Sequence, residues 1–326
     1  MSDIYINALS YYLPKGKLTN EMLSGMFPGW SPDKIASKVG VSTRNIASES
    51  ESAADLAYLA AQNLFKEYAI QPSSIDFILY CTQSPDYFLP ATSCILQERL
   101  GIPVSAGALD FNLGCSGYVY GLALAKGLIS AHIAKNILLL TADTYSKFIY
   151  AEDKSNRTIF GDGASATLIS DHGFARIGEF ILGTDGKGAE NLIIRNGAMK
   201  HLQRDGSPGD YLFMNGTEIF NFTSKEIPPL ITLTLNKNRI GAELISQYIF
   251  HQANMFMLTH LQKKLGIPSE KFYADMSNTG NTVSSTIPIA LYCAMKKLRP
   301  SSEDNWLLAG FGVGYSWAAT ILTFKI

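Results

Sequence analysis

The stretch Asp110-Phe111-Asn112-Leu113-Gly114-Cys115-Ser116-Gly117 constrains this chain more than any other. An apolar, strand-like segment precedes it. A run of small and apolar residues follows from about Gly117 to Ala131 (Tyr118, Val119, Leu122, Ala123, Leu124, Leu128) and reads as a buried helix. Cys115 therefore sits on a sharp strand-to-helix turn, and the flanking glycines permit the tight backbone. The helix start brings unpaired N–H groups and a positive dipole end beside the sulfur, which lowers a thiol pKa and favours the thiolate nucleophile. A lone cysteine in apolar surroundings is usually just a small buried hydrophobe. A nucleophilic role needs a base and an oxyanion site elsewhere in the chain.

The chain has 326 residues, enough for one large or two medium domains. With 47% hydrophobic and 17% charged residues it describes a globular protein with a large core. A formal net charge of −1 and the lack of a basic stripe with interleaved aromatics argue against a nucleic-acid partner. Cys81, Cys94, Cys115 and Cys293 show no close-set spacing, which argues against a structural zinc site or disulfide framework and fits a reducing compartment. The histidines show no ligand-like spacing, so no metal is expected. Met1 to Ile6 lacks the basic and apolar regions of a signal peptide, and the apolar runs are too short to span a membrane. The expected location is cytoplasmic.

Along the chain, strands are expected at 4–10, 77–80, 136–141, 166–169, 174–182, 244–250, 306–309 and 318–324. Helices are expected at 19–27, 31–38, 52–67 (capped by Ser52), 91–100, 255–265 and 282–298. A helix from Asn215 to Ile227 is expected to break at Pro228-Pro229 and resume to about Asn236. Residues 188–210 read as a loop-rich excursion. Strands alternating with helices imply a sheet sandwiched by helices, an α/β protein. The coarse order repeats, with a boundary near Asp171-His172-Gly173, giving halves 1–172 and 173–326.

Three stretches of the second half carry chemistry. His251, in Phe250-His251-Gln252-Ala253-Asn254, ends an apolar strand, where functional side chains commonly project. Asn278 to Thr282 suits a turn with a helix cap. Gly310-Phe311-Gly312-Val313-Gly314 suits a tight hairpin, or a backbone N–H aimed at an oxyanion.

Together with other motifs, these stretches carry a resemblance along essentially the whole chain. The motifs are Tyr12-Leu13-Pro14, Gly40-Val41, Arg44-Asn45-Ile46-Ala47, Ser84 to Pro90, Asn112 to Gly117, Phe160-Gly161-Asp162-Gly163-Ala164, Met214-Asn215-Gly216, His251 to Asn254 and Gly280-Asn281-Thr282. In this order they resemble the β-ketoacyl-acyl carrier protein synthase III family of the thiolase superfamily. The resemblance implies a thiolase-like five-layer αβαβα sandwich of two similar halves, usually a homodimer. It implies Cys115 as acyl-accepting nucleophile, His251 and Asn281 as its partners, and the backbone N–H groups of Cys115 and Val313 as oxyanion hole. The family often has glycine where Val313 stands, and a backbone donor survives that change. The implied reaction acylates Cys115 from an acyl thioester and condenses it with malonyl-acyl carrier protein, with loss of CO₂. No permanently bound cofactor is implied; acyl-coenzyme A or acyl-carrier-protein thioesters are substrates.

The neutral amide of Asn281 suits an enolate, because it donates without titrating. A carboxylate there would suit proton abstraction from an oxygen or nitrogen nucleophile instead. Cys293 lies in an apolar helix, unlike the second cysteine of non-decarboxylating thiolases, and no glutamate base stands between Ser84 and Pro90. The alternatives are an acyltransferase to oxygen or nitrogen on the same fold, in secondary-metabolite or surface-sugar synthesis, and a silent partner subunit. CO₂ release separates the first, and the joint presence of Cys115, His251 and Asn281 argues against the second.

Aligning on Gly40 puts Lys34 where coenzyme A-binding relatives often carry an adenine-stacking tryptophan, with Trp30 four residues earlier. Trp30, Lys38, Lys154 and Arg157 are the candidate coenzyme A contacts. Lys263 and Lys264 are the candidate carrier-protein contacts, acidic carriers favouring a basic patch. Phe256 stands where the family often shows an arginine. Leu89 and residues 188–210 are expected to line the acyl pocket.

Overall fold

The computed structural model describes residues 3–325. Met1 and Ser2, the start of the stretch read for a signal peptide, lie outside the described residues, as does Ile326. Ten strands form one hydrogen-bonded path: β1 (Tyr5–Tyr12), β2 (Phe77–Cys81), β3 (Gly107–Phe111), β4 (Ile137–Asp143), β5 (Gly163–Ser170), β6 (Ala175–Ile177), β7 (Ile245–Phe250), β8 (Phe272–Tyr273), β9 (Asn305–Gly312) and β10 (Ser316–Phe324). The helices are α1 (Asn20–Met26), α2 (Pro32–Val39), α3 (Ala53–Tyr68), α4 (Thr92–Arg99), α5 (Gly117–Ser130), α6 (Lys154–Arg157), α7 (Gly216–Asn238), α8 (Met255–Lys264) and α9 (Thr286–Leu298).

The path runs β8-β7-β9-β10-β6-β1-β5-β4-β2-β3. Read inward from each end, it is one arrangement used twice. In β3-β2-β4-β5-β1 the first three strands are parallel and the last two pairings antiparallel. The order β8-β7-β9-β10-β6 repeats those directions. The halves join where β1 meets β6, at Tyr5↔Arg176 and Ile6↔Ala175. Asp171 to Gly173 lies in the link between β5 and β6.

Side-chain alternation builds the layers. On β4, Ile137 and Leu139 face a middle layer while Leu138 and Leu140 face outward, the period of 2 expected of a strand covered on both sides. The middle layer is α5 and α9, whose Tyr118, Leu122, Ile287 and Leu291 pack between Ile6 of the first half and Leu308 of the second. Outside the first half, α3 packs Leu56 and Leu64 on Ile78. Its start is a capping box between Ser52 and Asp55. Outside the second half, α7 and α8 bury Leu230, Ile231 and Leu258 with Leu307 and Ile321. This is the five-layer αβαβα sandwich.

Two expectations are corrected. The prolines at 228 and 229 do not break the helix: α7 is continuous from Gly216 to Asn238. Ile227, Leu230 and Ile231 flank the prolines and are buried. That packing outweighs the roughly 3 kcal/mol an interior proline costs. The carbonyls they orphan belong to Ser224 and Lys225, on the less buried face. The strand expected at 174–182 is two strands, β6 and Ile181–Thr184. Asn238, at the end of α7, takes both backbone groups of Glu179 (2.7 and 3.0 Å) and so interrupts the ladder.

The motif arginine Arg44 is fully buried. It donates to Asn20 Oδ1 and to the Thr158 carbonyl, tying the start of α1 to the segment that holds Asn281. No helix among the described residues is long and apolar enough to cross a membrane.

Candidate active site

The site lies at the C-terminal ends of parallel strands, where open α/β sheets place their chemistry. The chain leaves β3, turns at Gly114 with a Gly117 N–H to Gly114 carbonyl bond of 2.8 Å, and enters α5. Cys115 is buried on that turn at 7% exposure, where the backbone N–H groups of Val313 and of Cys115 itself favour the charged form of its sulfur. β9 runs directly beneath. A Cβ on Gly312 would stand 2.8 Å from both Cβ and Sγ of Cys115, and one on Gly310 would stand 2.7 Å from the Cys115 carbonyl oxygen. Gly312→Ala must therefore displace the sulfur. Acylation by any thioester should slow about a hundredfold, the usual cost of an ångström-scale misplacement; stopped-flow acylation with a thermal melt as fold control checks it.

His251 follows β7, and its N–H bonds the Ala309 carbonyl of β9 at 2.8 Å. Phe311 stands edge-on to the imidazole at 5.8 Å. Thus one strand, β9, carries the contacts that place both His251 and Cys115. The imidazole Nδ1 lies 2.7 Å from Thr286 Oγ1 at the start of α9. That hydroxyl serves either tautomer. It accepts from Nδ1–H while donating to the Val283 carbonyl at 3.1 Å, or it donates to Nδ1 and leaves Nε2 protonated.

Asn281 is positioned by its backbone. Its N–H bonds the Ile159 carbonyl (2.9 Å) and its carbonyl takes the Gly161 N–H (3.0 Å). Its Oδ1 accepts the Val283 N–H at 2.9 Å, which fixes the amide orientation. The Nδ2 group then faces His251 Nε2 and the Ala253 carbonyl, each at 3.4 Å.

Two family models match this chain. The 3-oxoacyl-[acyl-carrier-protein] synthase III model covers residues 109–186, and the C-terminal model of the same synthase covers residues 235–324. A beta-ketoacyl-[acyl-carrier-protein] synthase III from Clostridium perfringens is 35% identical, over 99% of each chain. The chain belongs to the 3-oxoacyl-[acyl-carrier-protein] synthase III family. Among solved structures of synthase III, one is 46% identical with a TM-score of 0.96, covering 99% of this chain and 100% of that one. A 3-oxoacyl-(acyl-carrier protein) synthase from Burkholderia xenovorans is 36% identical with a TM-score of 0.93, covering 99% and 94%. The chain is accordingly an enzyme of the synthase III type, a condensing synthase.

The electrostatics of this synthase III site differ from the expectation at one point. The Cys115 thiol is not lowered. Burial, and then the Asp143 carboxylate, push it up to about 12, against the opposing pull of the two N–H groups. Desolvation of the charged form wins over the helix start. Burial also pushes His251 down to about 3. These shifts leave Cys115 a thiol and His251 a neutral imidazole.

A cavity of about 860 Å³ opens beside Val313 and is lined by Gln83, Tyr145, Phe148, Leu192 and Leu212 among others. The excursion contributes to it through Ile193, Ile194 and Arg204. Leu89 does not; it is 82% exposed, while its neighbours Tyr87 and Phe88 line the mouth. Cys293 sits away on α9 and contacts Tyr11. The residue lying close behind the Cys115 turn is Cys81, whose thiol donates to the Leu113 carbonyl at 2.9 Å.

Trp30 gathers the candidate coenzyme A contacts. Lys38 Nζ lies 5.1 Å, Lys154 Nζ 5.3 Å and Lys34 Nζ 5.8 Å from the ring centroid. Arg157 reaches Met26 Sδ at 3.8 Å and lines a second cavity, of about 670 Å³, that extends to Phe160 beside Asn281. Lys263 and Lys264 are exposed on α8, with Lys264 Nζ donating to Ser224 Oγ at 2.9 Å. Phe256, 65% exposed, packs on Phe220 at 5.5 Å near these lysines. The sequence gives no signal for Thr286 or Asp143 as contributors to the site, and none that Gly312 faces Cys115, because each acts through a chain segment distant in sequence.

Proposed function

We propose that this synthase acylates Cys115 from an acyl thioester and then condenses the acyl group with malonyl-acyl carrier protein, releasing CO₂ and a 3-oxoacyl thioester. The carrying observation is that β9 passes directly under the Cys115 turn and also holds His251, whose imidazole faces the Asn281 amide. The sulfur attacks the thioester carbonyl, and the N–H groups of Cys115 and Val313 stabilise the tetrahedral oxyanion. The thiol proton leaves with the departing thiol. Malonyl thioester next loses CO₂ to an enolate. Its oxygen is met by Asn281 Nδ2 and by His251 in the Nε2–H tautomer, both neutral donors in a buried site. The carbanion attacks the acyl carbonyl, a C–C bond forms, and Cys115 departs as thiolate.

On the same reading Trp30 stacks the adenine of coenzyme A, and Lys38, Lys154 and Arg157 bind its phosphates. Three ammonium groups within 6 Å of one indole support that assignment. Lys263 and Lys264 meet an acidic carrier protein. A homodimer is proposed through the open edge of β3, where Leu109 is 46% exposed, and the neighbouring Tyr87 and Phe88, 61% and 71% exposed.

The test is intact-mass measurement after incubation with acetyl- to octanoyl-coenzyme A and the matching acyl-carrier proteins, followed by malonyl-carrier protein. An acyl adduct that malonyl-carrier protein discharges with one CO₂ is expected. An adduct discharged only by an alcohol or amine would overturn the condensation.

A further inference from the structure

Asp143, the last residue of β4, is fully buried and has no cationic partner among the described residues. Such a carboxylate is costly to keep unless donors surround it. Its donors come from both halves of the molecule. Oδ1 accepts the Gln83 N–H at 2.8 Å, from the loop after β2. Oδ2 accepts the Ser284 hydroxyl, and the Ser284 N–H at 3.3 Å, from the turn that leads into α9.

Both anchored segments press on the active-site turn. The Gln83 side chain lies against Gly114, so that a Cβ there would stand 2.5 Å from Gln83 Oε1. The Val283 side chain lies against the same position at 3.2 Å. Val283 has φ +55°, a left-handed conformation strained for a β-branched residue. That conformation aims its N–H at Asn281 Oδ1, which in turn leaves Asn281 Nδ2 facing His251. Ser284 is the next residue, and Asp143 holds both its polar groups.

We propose that Asp143 is a positioning residue: its carboxylate clamps Ser284 across the interface between the halves, holds the left-handed Val283 turn, and so aims the Asn281 amide at the enolate oxygen. The proposal rests on the reading of Asn281 given above. The carboxylate also faces Cys115, Cys81, Tyr80, Tyr145 and Asp162, and its charge opposes ionisation of the two thiols and the two phenols. Burial raises its own pKa to about 7. Asp143 thus aids decarboxylation while resisting thiolate formation, and the two half-reactions should respond to its removal in opposite directions.

Asp143→Asn keeps the shape but turns one acceptor into a donor, facing either Gln83 or Ser284. Single-turnover CO₂ release from malonyl-carrier protein on pre-acylated enzyme should fall about ten- to a hundredfold, the usual range for a buried unsatisfied donor. Alkylation of Cys115 by iodoacetamide should become faster, its pH profile moving to lower pH. Ser284→Ala, which removes only the hydroxyl, should show a smaller loss of CO₂ release and unchanged alkylation. In an Asn281→Ala background, Asp143→Asn should add little further loss. Equal slowing of CO₂ release and of Cys115 alkylation would overturn the proposal, because a general packing defect does that. So would full additivity with Asn281→Ala. If Asn281→Ala releases CO₂ at the wild-type rate, the reading of Asn281 falls and this proposal with it. If Asn281→Ala is inactive and both Asp143→Asn and Ser284→Ala behave as wild type, only the proposal for Asp143 falls.

Discussion

Cys115→Ala is expected to abolish the acyl adduct with every donor and to lower condensation by about a thousandfold or more, as removal of a nucleophile does when the other groups act through it. The reason is local to the turn. Cys115 supplies the thiol on that turn, and the methyl of alanine accepts no acyl group. The fold should survive, since the change removes one sulfur from a site where Gly312 already leaves little space. Intact mass reads the adduct and a thermal melt reads the fold. An adduct that persists in the variant would place the acyl group on another residue. Cys81, just behind the turn, is the residue to inspect first, although its burial pushes its thiol well above the ordinary range.

Asn281→Asp should separate the two half-reactions. The aspartate keeps an oxygen for the Val283 N–H, so the turn is retained. Its second oxygen replaces the Nδ2 group that faces His251 Nε2 and the Ala253 carbonyl. A buried negative charge then stands against that carbonyl lone pair and against the enolate oxygen formed when malonyl thioester loses CO₂. It also draws a proton onto His251, whose pKa burial otherwise holds near 3. CO₂ release should fall about a hundred- to a thousandfold, the effect of losing an oxyanion donor. The adduct on Cys115 should still form. The sign matters: a gain of acyl transfer to alcohols or amines would show the carboxylate working as a base. Loss of the adduct as well would place Asn281 in the acylation step.

The candidate nucleophile and its partners are legible in the sequence because each sits at the end of a segment whose type is decided locally. Cys115 lies between an apolar strand and a small-residue helix, His251 follows an apolar run, and Asn281 sits in a turn of small polar residues. The glycines from 310 to 314 announce close backbone approach, but not what approaches. Only in three dimensions is it seen that Gly312 makes room for Cys115, 197 positions earlier in number. Thr286 reads as one more residue of an apolar helix, and Asp143 falls just past the strand expected at 136–141.

Two local rules gave way to packing. Proline inside α7 was outweighed by burial of Ile227, Leu230 and Ile231, and the strand after Gly173 was interrupted by Asn238 from the far end of the same helix. The thiol shows the same hierarchy. A helix start lowers a thiol pKa in partly solvated surroundings, but Cys115 is buried beside Asp143, and desolvation reverses the sign.

By itself the sequence determined the alternation of strands and helices, the doubled α/β plan and the chemical identity of the candidate reacting groups. These follow from hydrophobic period, turn residues and side-chain functional groups, all of which act within a few residues. Tertiary structure decided which amide orientation Asn281 presents, which strand passes beneath the sulfur, and the direction in which the thiol pKa moves. Those depend on dielectric surroundings and on donors brought together from opposite halves, and no local stretch of chain carries either.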